Sequence, residues 1–333
     1  MEPDEYDIAL REQIYFEALK EYEADEAESI TDEIMVVLIM LLMSLKITSF
    51  SDMTKKELNT FVAKARVAMK DKLLDVSKSF VGRMQNVLAV TLTVSRKALE
   101  QTSGVKITDK SFNGTTGGNK RLWKKITNDT VPGTGHLPLE MVKDFANTTM
   151  TQLMLVVKRA YADNLSIADT LKLLRGTKEA GFKDGVARKL ANQLKHVTRT
   201  LMQHMKAFLS YNMGRLVYDK YQWISTIDSV TTAICQSRHL RVYEYGKGPR
   251  PPAHWNCRSV IVGILGNLAN QAPASFFDWL KRQPRKFLDD VLTPQEAQAI
   301  SAGVAKSKDF NAYRNVKKIS PDQFGKRAAM ILT

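Results

Sequence analysis

The chain has 333 residues, 44% of them apolar and 25% charged, with 17 Gly, 10 Pro and only 2 Cys. That length and composition fit roughly two globular domains and exclude wholesale disorder and a disulfide framework. The formal net charge of +14 conceals a split, because residues 1–34 carry 13 acidic and 2 basic side chains and leave the remainder at +25.

A body this basic attracts polyanions, with nucleic acid first among them, although a solvated lysine-rich surface is the plainer alternative. The acidic segment, residues 1–33, reads as a helical arm that folds back on the body or docks a basic partner. The opening MEPDEYDIALRE is acidic where a signal peptide would be basic and then apolar, so synthesis in a reducing cytoplasm is expected.

Within the arm, residues 5–28 predict an exposed helix, with Ile8, Ile14, Leu19 and Tyr22 set among dense acids. Residues 34–47 follow, apolar on every face but shorter than the ~20 residues a membrane span needs, so a buried core or oligomer helix is expected. Its methionines suit an adaptable contact surface. From Lys55 to about Gln101, Leu58, Phe61, Val62, Ala65, Val67, Leu73, Leu74 and Val76 recur at helical spacing, predicting a long amphipathic helix or a helix pair within 34–103. Gly104 and the β-branched residues near Thr91–Val94 mark an end or a kink.

Residues 104–136 read as a loop rich in Gly, Thr, Asn and Lys. The run Gly114–Lys120 lacks the Gly-Lys-Ser/Thr ending of a phosphate-binding loop and no apolar strand leads into it. Lys120, Arg121, Lys124 and Lys125 surround Trp123, a pattern in which cations meet phosphates and the ring stacks on a base, or a solvated basic turn anchored by a buried Trp. Residues 137–220 predict a helical domain: Leu139–Ala162, a short helix capped by Ser166 and Asp169 and closed by Gly176, and a third from Lys183 to Tyr221.

After Tyr221 the pattern changes to short β-prone runs (Trp223–Ile227, Arg241–Tyr245, Ser259–Val262) among Gly and Pro, then to helical signals from Ser275. The fold class is therefore mostly α, an elongated helical N-terminal part with a small α+β C-terminal module at 221–333. Both cysteines fall in this module. Cys235, His239, His254 and Cys257 form two close pairs, C-x3-H and H-x2-C, and could close a tetrahedral zinc site. A Cys235–Cys257 disulfide or thiol contact, or two ordinary buried thiols, fit the same spacing. A thiol hydrolase would need Cys235 as nucleophile, His254 as base and Asn256 or Asp228 as orienter, but no nucleophile signature surrounds Cys235 and catalytic partners usually come from distant segments.

The run Asp228-Ser-Val-Thr231-Thr-Ala-Ile-Cys235 and the run Pro251-Pro252-Ala-His254-Trp-Asn256-Cys257-Arg258 together resemble the signature of the Mu F-like head-morphogenesis family of tailed-phage minor head proteins. Upstream, Arg199-Thr200 resembles that family's Ala-Arg-Thr-Glu segment, with Leu201 in place of Glu. Downstream, Trp279-Leu280 and Gln283 look like its Trp-Leu-x-x-Gln block. With Trp223 at the head of the first block, the resemblance spans about residues 185–325. Val230, His239, Leu240 and Ser259 stand where the family has Arg, Asp, Gly and Cys, so any zinc carried over would need His239 as fourth ligand. The resemblance implies a non-enzymatic structural protein of the virion, inside the capsid near the portal. Its implied partners are the portal protein, sister copies, packaged double-stranded DNA and the major capsid protein, with no small-molecule substrate. An ejection protein that leaves with the genome and touches the host envelope is the alternative, for which segment 34–47 would be the contact.

Overall fold

The computed structural model describes residues 4–108, 118–264, 274–306 and 316–332. These residues are mostly helical, with one small three-stranded antiparallel sheet near the C-terminal end. The chain divides into two compact units: residues 1–23, 84–138 and 199–333 form one, and residues 24–83 and 139–198 the other. The units therefore do not follow the linear partition that composition suggests, since the start of the acidic segment belongs with the C-terminal module.

Residues 4–103 contain a single Gly and no Pro, which suits long helices, and the one break lies at residues 44–54, where Lys46 takes φ +52. Two long helices result, α1 (Glu5–Met43) and α2 (Lys55–Ser103). Asp4 caps the first by accepting from the Asp7 N–H at 2.7 Å, and Thr54 and Glu57 form a capping box on the second. Segment 34–47 is thus largely the end of α1 rather than a helix of its own, and α2 is one continuous helix ending before Gly104 (φ +67).

In the second unit the far half of α1 buries Ile34, Leu38 and Leu42, and α2 contributes Phe61, Met69, Leu73 and Phe80 to the same core. The helices α4 (Pro138–Ala162) and α5 (Ile167–Arg175) and the start of α6 (Val186–Gly214) complete it. Ser166 caps α5 as expected, and Gly176 closes it at φ +94. Acids of α1 pair within this unit: Glu33 with Lys72 at 2.5 Å, Glu26 with Arg83 at 3.1 Å and Glu28 with Arg188 at 2.6 Å. The acidic segment does fold back on basic helices. Among the described residues no helix is long and apolar enough to cross a membrane.

In the first unit, the near half of α1 is not exposed. Tyr6, Ile8, Leu10, Ile14, Tyr15, Phe16 and Leu19 are buried, and so are Arg11, Glu12, Gln13, Glu17, Lys20 and Glu21. Most of the polar members tolerate burial because they meet partners from distant segments, whereas Glu17 pairs within α1, with Lys20 and Gln13. Tyr6 donates to Gln222 at 2.6 Å, Lys206 to Gln13 at 2.8 Å, and Lys20 to Gln203 at 3.0 Å while pairing with Glu17 at 2.7 Å.

The sheet has the order β2 (Val242–Glu244), β1 (Lys220–Ile224), β3 (Val260–Ile264), all neighbours antiparallel, with Trp223 opposite Ile261 and Tyr221 opposite Tyr243 and Gly263. Gly263 is required there, since a Cβ would overlap the Tyr218 ring. The second and third β-prone runs of the sequence contain or overlap β2 and β3, whereas the first, Trp223–Ile227, shares only its first two residues with β1, which begins at Lys220. Helix α6 ends at Gly214 rather than at Tyr221, which lies in β1. Another correction concerns the stretch 104–136. It includes a helix, α3 (Gly118–Thr127), with Leu122 and Ile126 buried on its inner face. Short helices α7 (Ala233–Arg238), α8 (Phe276–Leu280), α9 (Arg285–Val291), α10 (Pro294–Ser301), α11 (Pro321–Lys326) and α12 (Ala328–Leu332) finish the unit.

Candidate metal centre

Helix α7 and the turn that precedes β3 bring the two motif blocks face to face. Three side chains converge: Cys235 Sγ lies 3.1 Å from His254 Nε2 and 3.7 Å from Cys257 Sγ. All three donor atoms lie within 4.8 Å of one another, a group able to hold a metal ion. Both cysteines are free thiols, so the pair is a close contact rather than a disulfide.

The imidazole is held in one orientation. His254 Nδ1–H donates to the Trp255 carbonyl at 2.7 Å, which leaves Nε2 to face the sulfurs. Behind it, Gly133 approaches so closely that a Cβ would overlap the His254 backbone nitrogen. Burial disfavours a thiolate at Cys257, yet hydrogen bonds from Cys235 and His254 outweigh it and hold this thiol well below its ordinary range. The hydrogen bond to Cys257, then burial, push the Cys235 thiol up. His254 is raised chiefly by its hydrogen bond to Cys257.

His239 does not join them. Its Nδ1 accepts from the Ser225 N–H at 3.1 Å and its Nε2 donates to the Ala274 carbonyl at 3.2 Å, so both ring nitrogens are committed to backbone. The four-ligand set expected from spacing is corrected to three. Cys235 lines the neighbouring cleft but is itself buried, and Cys257 is fully buried.

The other motif residues hold the site together. Asp228 and Arg258 form a buried bidentate ion pair that ties the first block to the second, and Asp228 also accepts from the Thr231 hydroxyl at 3.0 Å. Its carboxyl lies below the usual range: burial would raise it, and Arg258 overrides that. Thr200 accepts from the Asn256 N–H at 3.0 Å, and Asn256 takes a left-handed conformation, φ +56, that Asn tolerates well. Arg199 grips Glu21 of α1 with two hydrogen bonds of 2.7 Å. Trp279 and Gln283 donate to Asp7 at 2.8 and 2.9 Å, and Arg11 donates to Gln283 at 3.0 Å. Trp223 and Leu280 are buried, as are Pro251 and Pro252, which are joined by a cis peptide.

A cleft of about 470 Å³ opens over the centre, lined by Cys235, His254, Thr231, Thr232, Arg199, Glu21, Arg258 and the half-exposed Trp255. Sequence reasoning missed Glu21, Asp7 and Lys20, which donates to the Cys257 carbonyl at 3.4 Å. No local signal marks them, because each is defined by a partner more than 170 residues away. Lys120, Arg121, Lys124 and Lys125 lie on the exposed face of α3, with Trp123 half-buried, so the basic cluster is helical rather than a loop. Residues 114–117 of the glycine-rich run lie outside the described residues.

Comparison of the chain with protein-family models, with curated proteins and with solved structures gives no match.

Proposed function

We propose that this chain is a minor head protein of a tailed bacteriophage, resident inside the capsid near the portal and acting in head morphogenesis and DNA packaging or delivery. The observation that carries the reading is the order of two sequence blocks together with what their residues do. Asp228 and Arg258 pair, Cys235 meets Cys257, Thr200 holds Asn256, and Arg199, Trp279 and Gln283 all hold α1. A signature made of residues that brace a fold suits a structural protein better than a catalyst.

A second support comes from a departure. Leu240, where the family has Gly, sits at φ +65, the left-handed conformation that Gly favours. In this reading α3 and the remaining basic surface face packaged DNA, and the portal, sister copies and the major capsid protein are the protein partners. The Cys235, His254 and Cys257 donor set selects zinc over hard cations.

The test is a phage that encodes this chain. Mass spectrometry of purified heads should find it in substoichiometric amounts relative to the shell protein, and pull-down from infected cells should recover portal. Heads that contain none of it, with portal absent from the pull-down, would overturn the reading.

A further inference from the structure

We propose that Cys235 Sγ, Cys257 Sγ and His254 Nε2 bind one zinc-class ion as its only protein ligands, with the fourth position open to the cleft and filled by water or a small exogenous donor. The inference goes beyond the head-protein reading and stands on the site's geometry alone.

The first support is the spacing of the donors. Two thiolates on one tetrahedral zinc, each ~2.3 Å from the metal, lie ~3.8 Å apart, whereas disulfide sulfurs lie ~2.05 Å apart. The two sulfurs here are 3.7 Å apart, so the pair already spans a zinc edge. Nε2 of His254 is 3.1 Å from Cys235 Sγ, about 0.5 Å short of the ~3.6 Å expected across a shared ion, so binding would move these two donors slightly apart.

The second support is the outer layer. The Nδ1–H bond to the Trp255 carbonyl is the arrangement that fixes a metal-ligating histidine. Ser225 donates to the Cys235 carbonyl at 2.7 Å and Lys20 to the Cys257 carbonyl at 3.4 Å, so the backbone that carries each sulfur is held from outside the trio.

The third support is the missing fourth ligand. Among the described residues no further His, Cys, Asp or Glu joins the group. His239 is committed to backbone through both nitrogens, and Ser259 offers only a neutral hydroxyl that already lies 3.1 Å from Ser225 Oγ. Cys257 lies fully buried behind, whereas Cys235 and His254 form part of the cleft wall. An ion between them presents its remaining position to that space. Three protein ligands and one exchangeable position distinguish a reactive or ligand-binding zinc from a closed structural one.

Elemental analysis of the freshly purified full chain should give about one zinc per chain, with His239→Ala unchanged and His254→Ala and Cys235→Ser lowered at least tenfold. Because those variants can fail through misfolding, the wild-type chain reconstituted with cobalt(II) supplies the second measurement. It should show thiolate-to-cobalt charge transfer and four-coordinate d–d bands that shift when azide is added. Absence of metal from the wild type would overturn the proposal. Loss of zinc in a folded His239→Ala variant would replace it with a four-side-chain site. Cobalt bands indifferent to azide would overturn the open position.

Discussion

At the scale of single residues, backbone conformation and buried charge give the sharpest tests. Leu240 holds φ +65 with its side chain 38% exposed, so it bears left-handed strain with little packing in return. Such strain costs a non-Gly residue about 1–2 kcal/mol, and glycine's looser unfolded state gives back part of it. Leu240→Gly should therefore stabilise the fold, by about 1 kcal/mol, read as a rise in the urea midpoint at unchanged slope. His204 offers the opposite case. It is fully buried and Nδ1 has no partner, while Nε2 lies 3.3 Å from the Ile126 carbonyl and 3.6 Å from the Asp129 carboxylate that pairs with Arg250. Burial, then the Arg250 charge, lower it from 6.5 to about 4. Between those values the unfolded chain holds a proton that the folded one does not. Stability from this residue is thus full above pH 6.5, falls as pH drops toward 4, and levels below. The span is on the order of 3 kcal/mol. Urea unfolding of wild type against His204→Gln across that window isolates it, and parallel pH profiles for the two would refute the assignment.

At the scale of elements, the features that were legible in the sequence are those with a local cause. Strands β1, β2 and β3 declare themselves by β-branched and aromatic runs, α5 by its Ser166 cap, and the Cys235–Cys257 neighbourhood by its density of ligand types. Helix α3 was hidden because glycine and threonine around it outweigh the Leu122–Ile126 pair that sets its buried face. His239 was misassigned because spacing along the chain says which residues are neighbours and not where their rings point. The first half of α1 was read as exposed for a similar reason. Its polar residues look solvated in isolation, and partners far along the chain, Arg199 for Glu21, Lys206 for Glu12 and Gln203 for Lys20, make their burial tolerable. Removing residues 1–23 should accordingly cost the first unit its core. Limited proteolysis of the shortened chain should cleave within 199–333 at protease levels that leave the full chain intact, and equal resistance would show that α1 is dispensable.

At the scale of the whole molecule, composition gave a mostly helical chain with a small mixed module, and that is the architecture found. What it could not give is the membership of the units, each assembled from segments separated by long stretches of chain. The charge split has a structural counterpart. Acids concentrated before residue 34 meet cations from Lys72, Arg83 and Arg188 in one unit and Arg199 in the other, so much of the apparent arm is neutralised internally.

The placement of α1 also sets a timetable. Ribosomes extend a chain by about 5–20 residues per second, so the helix carrying Asp7, Arg11 and Lys20 emerges some tens of seconds before Gln283, which receives it. During that interval Ile8, Ile14, Phe16 and Leu19 have none of their final C-terminal neighbours. The acids that share their helix give the waiting segment a net negative charge through the same interval.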